Sequence, residues 1–304
     1  MLFSDKPIPN QALSLPVFEK MGVQVFVKRE DLLHAEVSGN KFRKLKYNLQ
    51  QAQKEGCDGL LTFGGAFSNH LAAIAAAAHA YGFQSVGVVR GDELAHKPLN
   101  PTLAYCQSKG MQLHFVSREL YKQKEKGIER LIENHPSFYI LPEGGSNPRA
   151  VQGCREILND SDALFDTLAV AVGTGGTMAG LIQSAMPHQE VVGYQVVYDV
   201  AIPQQIRTFV GHNRWTLDPT YKTVGYAKTP PELVGFAIEV AKQSGIVLDP
   251  LYTGPMLWRM VQQLKSNTWT HGNRILVIHT GGLQAIAGVN ARLAKQGSTL
   301  RWPC

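Results

Sequence analysis

Ser38-Gly39-Asn40-Lys41-Phe42-Arg43-Lys44 is the stretch on which the reading of this chain turns. It sets one lysine in a glycine-bearing turn and a second lysine three residues on. A lysine amine is a weak nucleophile while protonated; burial or a neighbouring positive charge lowers its pKa and readies it to condense with an aldehyde. Lys41 is therefore the candidate nucleophile, and Lys44 the candidate source of that charge and a partner for phosphate. Read in isolation, Lys41 to Lys46 also fits a solvated basic face at a helix start.

Three glycine-rich turns elsewhere favour the first reading. Gly64-Gly65-Ala66-Phe67-Ser68-Asn69-His70 follows the apolar run 59–63 and precedes the alanine-rich 71–81, the pattern of strand, tight turn and helix. Ser68 and Asn69 supply N-cap chemistry, and the helix start presents free N–H groups to an anion. Val172-Gly173-Thr174-Gly175-Gly176-Thr177 follows the apolar run 167–172 and offers a second ring of backbone amides for a phosphate. It lacks the Gly-Lys-Ser/Thr of a P-loop, and Met178 stands where a dinucleotide fingerprint needs glycine. Asp199 does lie about 20 residues beyond, so a dehydrogenase stays open on spacing alone. The fourth turn ends the apolar run 274–280 in His279-Thr280-Gly281-Gly282, which places the neutral hydroxyl of Thr280 at a strand's carboxyl end, where open α/β sheets bind ligands.

Composition sets outer bounds. A chain of 304 residues with 44% hydrophobic content is long enough for two lobes with a sizeable core. The net charge of +6 is spread out apart from 41–46 and 122–130, and the second run alternates with Glu125 and Glu129 as an exposed helix face does. No basic patch with interleaved aromatics points to nucleic acid. Cys57, Cys106, Cys154 and Cys304 show no C-x-x-C or metal spacing, which fits a reducing, cytoplasmic compartment. Eight of the histidines, His34, His79, His96, His114, His135, His188, His212 and His271, are likewise dispersed without ligand spacing, so no metal is expected. Met1 to Asn10 reads as no signal peptide, and 71–80, apolar over about half of the roughly 20 residues a membrane span needs, reads as a buried core helix.

Together these segments resemble the pyridoxal-phosphate enzymes of fold type II, the tryptophan synthase β-like group, and within it the D-cysteine desulfhydrase and 1-aminocyclopropane-1-carboxylate deaminase family. The resemblance is carried, in order, by Lys28-Arg29-Glu30-Asp31-Leu32, the Ser38 to Leu45 stretch, Ser68-Asn69-His70, Gly144-Gly145-Ser146-Asn147, Gly173 to Thr177, Leu248 to Gly254, and His279 to Gly282. It implies an α/β, two-lobed fold with mostly parallel twisted sheets flanked by helices. Residues 1–44 with 153–304 would form the larger cofactor-binding domain and 45–152 the smaller one. It implies pyridoxal 5'-phosphate as cofactor, with Lys41 as its Schiff-base lysine, Lys44 on the phosphate, and Gly173, Thr174, Gly175, Gly176 and Thr177 binding that phosphate through their amides. Asn69 would meet the ring hydroxyl, Thr280 the ring nitrogen, and Tyr252 would stand at the ring with Tyr226 as a second active-site tyrosine. Ser68, Asn69 and His70 would receive the carboxylate of a small amino-acid substrate. A homodimer is implied as well.

The implied activity is α,β-elimination from D-cysteine or a related β-substituted amino acid to pyruvate, ammonia and thiol, with catalytic Lys41, Ser68, Tyr252 and Tyr226. The alternatives are 1-aminocyclopropane-1-carboxylate deamination and a non-catalytic protein that binds pyridoxal phosphate or an amino acid. Thr253 stands where deaminases of this family usually carry glutamate; with Thr280 it suggests a weaker electron sink, suited to elimination. Two further departures are Pro255-Met256, expected to reshape the pocket edge, and Phe67, expected to narrow the substrate side.

Overall fold

Short apolar strands alternating with glycine-opened helices assemble into two separate sheets in a computed structural model that describes residues 7–212 and 214–304. Of the N-terminal reading over Met1 to Asn10, the first six residues lie outside the described residues. The larger sheet has the order β1-β2-β10-β7-β8-β9, with β1 Asn10–Leu13, β2 Gln24–Lys28, β7 Thr167–Val172, β8 Glu190–Gln195, β9 Trp215–Asp218 and β10 Arg274–Ile278. The smaller has the order β5-β4-β3-β6, with β3 Gly59–Gly64, β4 Gln84–Arg90, β5 Gln112–Val116 and β6 Phe138–Leu141. Every pairing is parallel except β1 with β2.

Central strands β3 and β7 are buried along their whole length, as parallel strands covered by helices on both faces must be. That is why their sequences read as unbroken apolar runs rather than alternating ones. The helix Asn69–Tyr81 is buried from Asn69 through Ala78, in agreement with the core-helix reading of 71–80. Its alanines leave no polar stripe because water meets only its last turn. Among the described residues no helix is long and apolar enough to cross a membrane.

The exposed helix face expected over 122–130 is not one helix. The chain breaks into a helix Arg118–Lys122, a 3-10 turn Lys124–Ile128 and a helix Glu129–Glu133. Gly127 lies so close to the Leu120 carbonyl that no side chain fits between them, and Lys124 turns inward with its ammonium 4.5 Å from the Tyr121 ring centre.

What positions the site is the join between the two sheets. After β10 the chain rises to Thr280, whose carbonyl accepts from the amide of Asn40 at 3.3 Å, while the amide of Gly39 donates to the Glu30 carbonyl at 3.0 Å. The helix Asn40–Lys54 starts there and sends Phe42, Leu45 and Leu49 into the apolar cluster that also holds the helix behind β3. Gly39 has φ +60°, and a Cβ added to it would collide with the Thr280 carbonyl. Replacing Gly39 with alanine is therefore expected to lower unfolding free energy by at least about 1–3 kcal/mol, the usual cost of such backbone strain. Urea denaturation checks this, and an unchanged midpoint would mean the close approach is not needed.

Candidate active site

Carboxyl ends of strands from both sheets face one cavity of about 690 Å³. The turn after β3 brings Gly65 to His70, the turn after β7 brings Gly173 to Thr177, and the segment after β10 brings Thr280 and Gly281. The helix start supplies Asn40, Lys41 and Lys44, and Tyr226 and Tyr252 close another side. All the candidate site residues named from the sequence except Gly176 line this cavity, and Gly176 is the next residue after Gly175 in the same loop.

Lys41 is half-buried, and its Nζ donates to Asn40 Oδ1 at 2.9 Å. The Asn40 amide in turn donates to Thr177 Oγ1 at 2.9 Å, so the amine is tethered to the glycine-rich loop. Burial, reinforced by the charge of Lys44, lowers the Lys41 pKa from 10.5 to about 7. Lys44 is almost fully buried and is not part of a solvated face. Its ammonium donates to the Gly144 carbonyl at 2.8 Å and to Ser146 Oγ at 3.0 Å, and Ser146 Oγ lies 2.6 Å from Thr174 Oγ1. Lys44 thus braces the Gly173–Thr177 loop from the side.

That loop is shaped for an anion. Gly175 adopts φ +82°, the left-handed cap that opens the helix Gly176–Ser184, and the first amides of that helix have no intrahelical acceptor. A side chain at Gly176 would come within 2.6 Å of Ser146 Oγ and 3.3 Å of Lys44 Nζ, so backbone and cation must approach each other directly.

Across the cavity, Ser68 caps the helix Asn69–Tyr81, its Oγ accepting from Leu71 N at 3.2 Å. The first helical amides, those of Asn69 and His70, again lack intrahelical acceptors. Among the described residues Asn69 Oδ1 is buried without a partner. His70 Nε2 lies 2.9 Å from Thr62 Oγ1, which is also within 3.0 Å of the Leu141 carbonyl, so the ring is anchored between β3 and β6. Burial, with the charges of Lys41 and Lys44, holds the His70 pKa well below its ordinary value.

Tyr252 is held by Asp249, whose buried carboxylate accepts from the amides of Leu251 at 2.9 Å, Tyr252 at 3.1 Å and Thr253 at 2.6 Å. Burial, then the neighbouring Tyr226, pushes the Tyr252 phenol far up, so it keeps its proton at neutral pH. The two tyrosine rings meet edge to face, 6.3 Å between centres. His279 is engaged within the fold, with Nε2 2.8 Å from the Val247 carbonyl and Nδ1 accepting from Gly281 N at 3.2 Å.

Two sequence expectations change. Thr253 is fully buried and is not among the cavity-lining residues, so it does not distinguish elimination from ring opening by touching a ligand there. Pro255 and Met256 are buried in the first turn of the helix Thr253–Lys265, where proline is tolerated, and do not form the cavity edge. Phe67 does line the cavity, its ring braced against Gly288. The Asn40–Thr177 tether and the Lys44–Ser146–Thr174 brace were not read from the sequence, although Asn40 and the Gly144–Asn147 motif marked their places.

The Lys41 titration has a direct check. Labelling of Lys41 by an acylating reagent, followed by peptide mass spectrometry, is expected to be half-maximal near pH 7, and Lys44→Met is expected to move that midpoint upward. Because the unfolded chain holds this proton up to about 10.5, the site's contribution to stability rises between pH 7 and 10.5. A midpoint near 10.5 in the folded protein would contradict the burial argument.

The sequence matches the family described as "Pyridoxal-phosphate dependent enzyme" over residues 5–281. It is 34% identical to a Thermotoga maritima protein named "Putative 1-aminocyclopropane-1-carboxylate deaminase", over 95% of this chain and 97% of that protein. It is 30% identical to an Arabidopsis thaliana protein named "Bifunctional D-cysteine desulfhydrase/1-aminocyclopropane-1-carboxylate deaminase, mitochondrial", over 91% of this chain and 76% of that protein. Among solved structures, one described as an ACC deaminase homologue superposes with a TM-score of 0.82 at 28% identity, covering 95% of this chain and 94% of the other.

Proposed function

The chain belongs to the pyridoxal-phosphate dependent enzyme family, and from that premise we propose that it is a lyase acting on small amino acids, eliminating the β-substituent of D-cysteine or a related substrate to give pyruvate, ammonia and thiol. The observation that carries this reading is Lys41: an amine poised near neutrality, tethered through Asn40, on the wall of a cavity that has an anion-binding helix start on each side.

The residues present fit the cofactor. Gly173 to Thr177, with Lys44 beside them, would hold the phosphate, and the unpartnered amide oxygen of Asn69 marks a polar group awaiting a ring partner. Thr280 would face the ring nitrogen with a hydroxyl rather than a carboxylate. When bound, pyridoxal phosphate supplies an electron sink for the substrate's α-carbon.

This chain's own groups do the rest. The α-carboxylate docks at the amides of Asn69 and His70 and the hydroxyl of Ser68. His70, neutral and fixed by Thr62, backs that turn without adding a charge. Lys41 Nζ accepts the α-proton, which its lowered pKa permits near pH 7. Tyr252, kept protonated by burial, offers a proton to a departing group, with Tyr226 beside it at the cavity mouth.

Ring-opening deamination of 1-aminocyclopropane-1-carboxylate is the second reading. It is favoured by the protonated Tyr252 and by the withdrawal of Thr253 from the cavity, which removes a reason to prefer elimination. We further propose a smaller lobe of 45–152 and a larger one of 1–44 with 153–304, a cytoplasmic homodimer. The lobe division is supported by the smaller sheet, whose four strands all lie between Gly59 and Leu141.

Incubating the cofactor-loaded protein separately with D-cysteine and with 1-aminocyclopropane-1-carboxylate separates the readings. Pyruvate with sulfide is expected from the first. 2-Oxobutyrate from the second alone would transfer the assignment to ring opening, and spectral change with no product from either would favour a binding protein. Lys41→Ala is expected to cut turnover by about 100-fold or more, the lower range for losing a positioned acid–base group.

A further inference from the structure

Arg90 lines this cavity and has no part in the reaction as described, and among the described residues it is not drawn into an ion pair as the lining residues Glu93, Arg118 and Glu143 are. It is the last residue of β4, exposed, and it lines the cavity at the carboxyl edge of the smaller sheet. The three acids of the cavity lining are already engaged, Asp199 by accepting from the amide of Ala201 at 2.8 Å. Glu93 pairs with Arg118 at 2.6 Å, and Glu143 accepts from Tyr121 OH at 2.7 Å and pairs with Lys124. Among the described residues Arg90 has no carboxylate partner of its own and makes no side-chain hydrogen bond.

Its guanidinium is nonetheless held in place. It lies 5.7 Å from the centre of the Tyr121 ring, and that ring is buried and fixed through its hydroxyl to Glu143. Stacking of this kind orients a guanidinium without consuming its five N–H donors. On the other side Arg90 abuts the turn that precedes the Asn69 helix: a Cβ placed on Gly65 would sit 3.6 Å from Arg90 Nη2. The Gly65 carbonyl accepts from the amide of Ser68, the cap of that helix, at 3.0 Å.

We propose that Arg90 is a specificity-determining residue that pairs with a second anionic group on the substrate's side chain. Resting on the lyase reading, the inference narrows the substrate class to amino acids with a sulfonate or phosphate on the β-carbon. An α-carboxylate at the helix start and a second anion at Arg90 would flank a single tight turn, a spacing that suits acids on neighbouring carbons. In elimination from such a substrate the Cβ–S or Cβ–O bond breaks, its electron pair leaves on sulfite or phosphate, and Lys41 takes the α-proton. Water then completes release of pyruvate and ammonia.

The test uses cofactor-loaded wild type, Arg90→Met and Arg90→Lys. Pyruvate release is followed from both enantiomers of 3-sulfoalanine and O-phosphoserine, and from D-cysteine as the substrate without a second strong acid. The kcat/KM ratio of anionic substrate to D-cysteine is expected to fall about ten- to hundredfold in Arg90→Met, the worth of a hydrogen bond to a charged group. Arg90→Lys should recover part of it. An unchanged ratio, with all substrates falling together or none falling, would overturn the inference.

Calorimetric titration of the same proteins with 3-sulfoalanine and with aspartate, against alanine, reads binding independently of turnover. Absence of pyruvate from every substrate would count against the lyase reading alone. Preferential binding of the dianionic amino acids, lost in Arg90→Met, would still uphold the role of Arg90, and equal binding of alanine would overturn it.

Discussion

The close approach of Gly39 to the Thr280 carbonyl is the constraint on which the rest of the site depends. It brings the end of the larger sheet's β10 against the start of a helix whose apolar face belongs to the smaller sheet's cluster. Lys41 is two residues past that contact and Lys44 one helical turn further, so one backbone junction sets the depth of both lysines. The position excludes any side chain at Gly39, and it fixes the amine relative to the loop that follows β7 through the Asn40–Thr177 bond.

Around that junction the fold concentrates positive potential and withholds compensation. Two lysines and two helix starts face or brace one cavity, while the nearest fully buried carboxylate, Asp249, is occupied by three backbone amides. Lys44 is kept in place by a carbonyl and a hydroxyl, neither of which neutralises it. Burial, reinforced by the charge of Lys44, lowers the Lys41 pKa, and the cavity is left suited to a phosphate and a carboxylate at once. Burial keeps His70 neutral, and the charges of Lys41 and Lys44 add to it.

Much of this was legible in the sequence because the signals were local. Apolar runs 59–63 and 167–172, each followed by a glycine, gave β3 and β7 nearly to the residue, and the turns after them are where the amides face the cavity. What the sequence did not disclose depends on distant partners. Taken alone, the run Lys41 to Lys46 reads better as a solvated face, and only packing of Phe42, Leu45 and Leu49 buries Lys44. Thr253 sits next to Tyr252 in sequence yet points away from the cavity lining, because Asp249 gathers the amides of 251–253 into a tight cap. Strand β8 ends at Gln195, whose side chain donates to the carbonyls of Val197 and Asp199 and turns the chain there. Arg90 has no motif, and the brace through Ser146 acquires its meaning only from Lys44 and Thr174, both remote in the chain from the Gly144–Asn147 motif.

On the proposed function Lys41, and not its neighbour Lys44, is the amine that joins the cofactor. Borohydride reduction of the pyridoxal-phosphate-loaded protein, followed by proteolysis and mass spectrometry, tests it directly. A pyridoxyl phosphate mass on Lys41 is the expected result; the same mass on Lys44 or elsewhere, with Lys41 unmodified, would contradict the reading of the whole site.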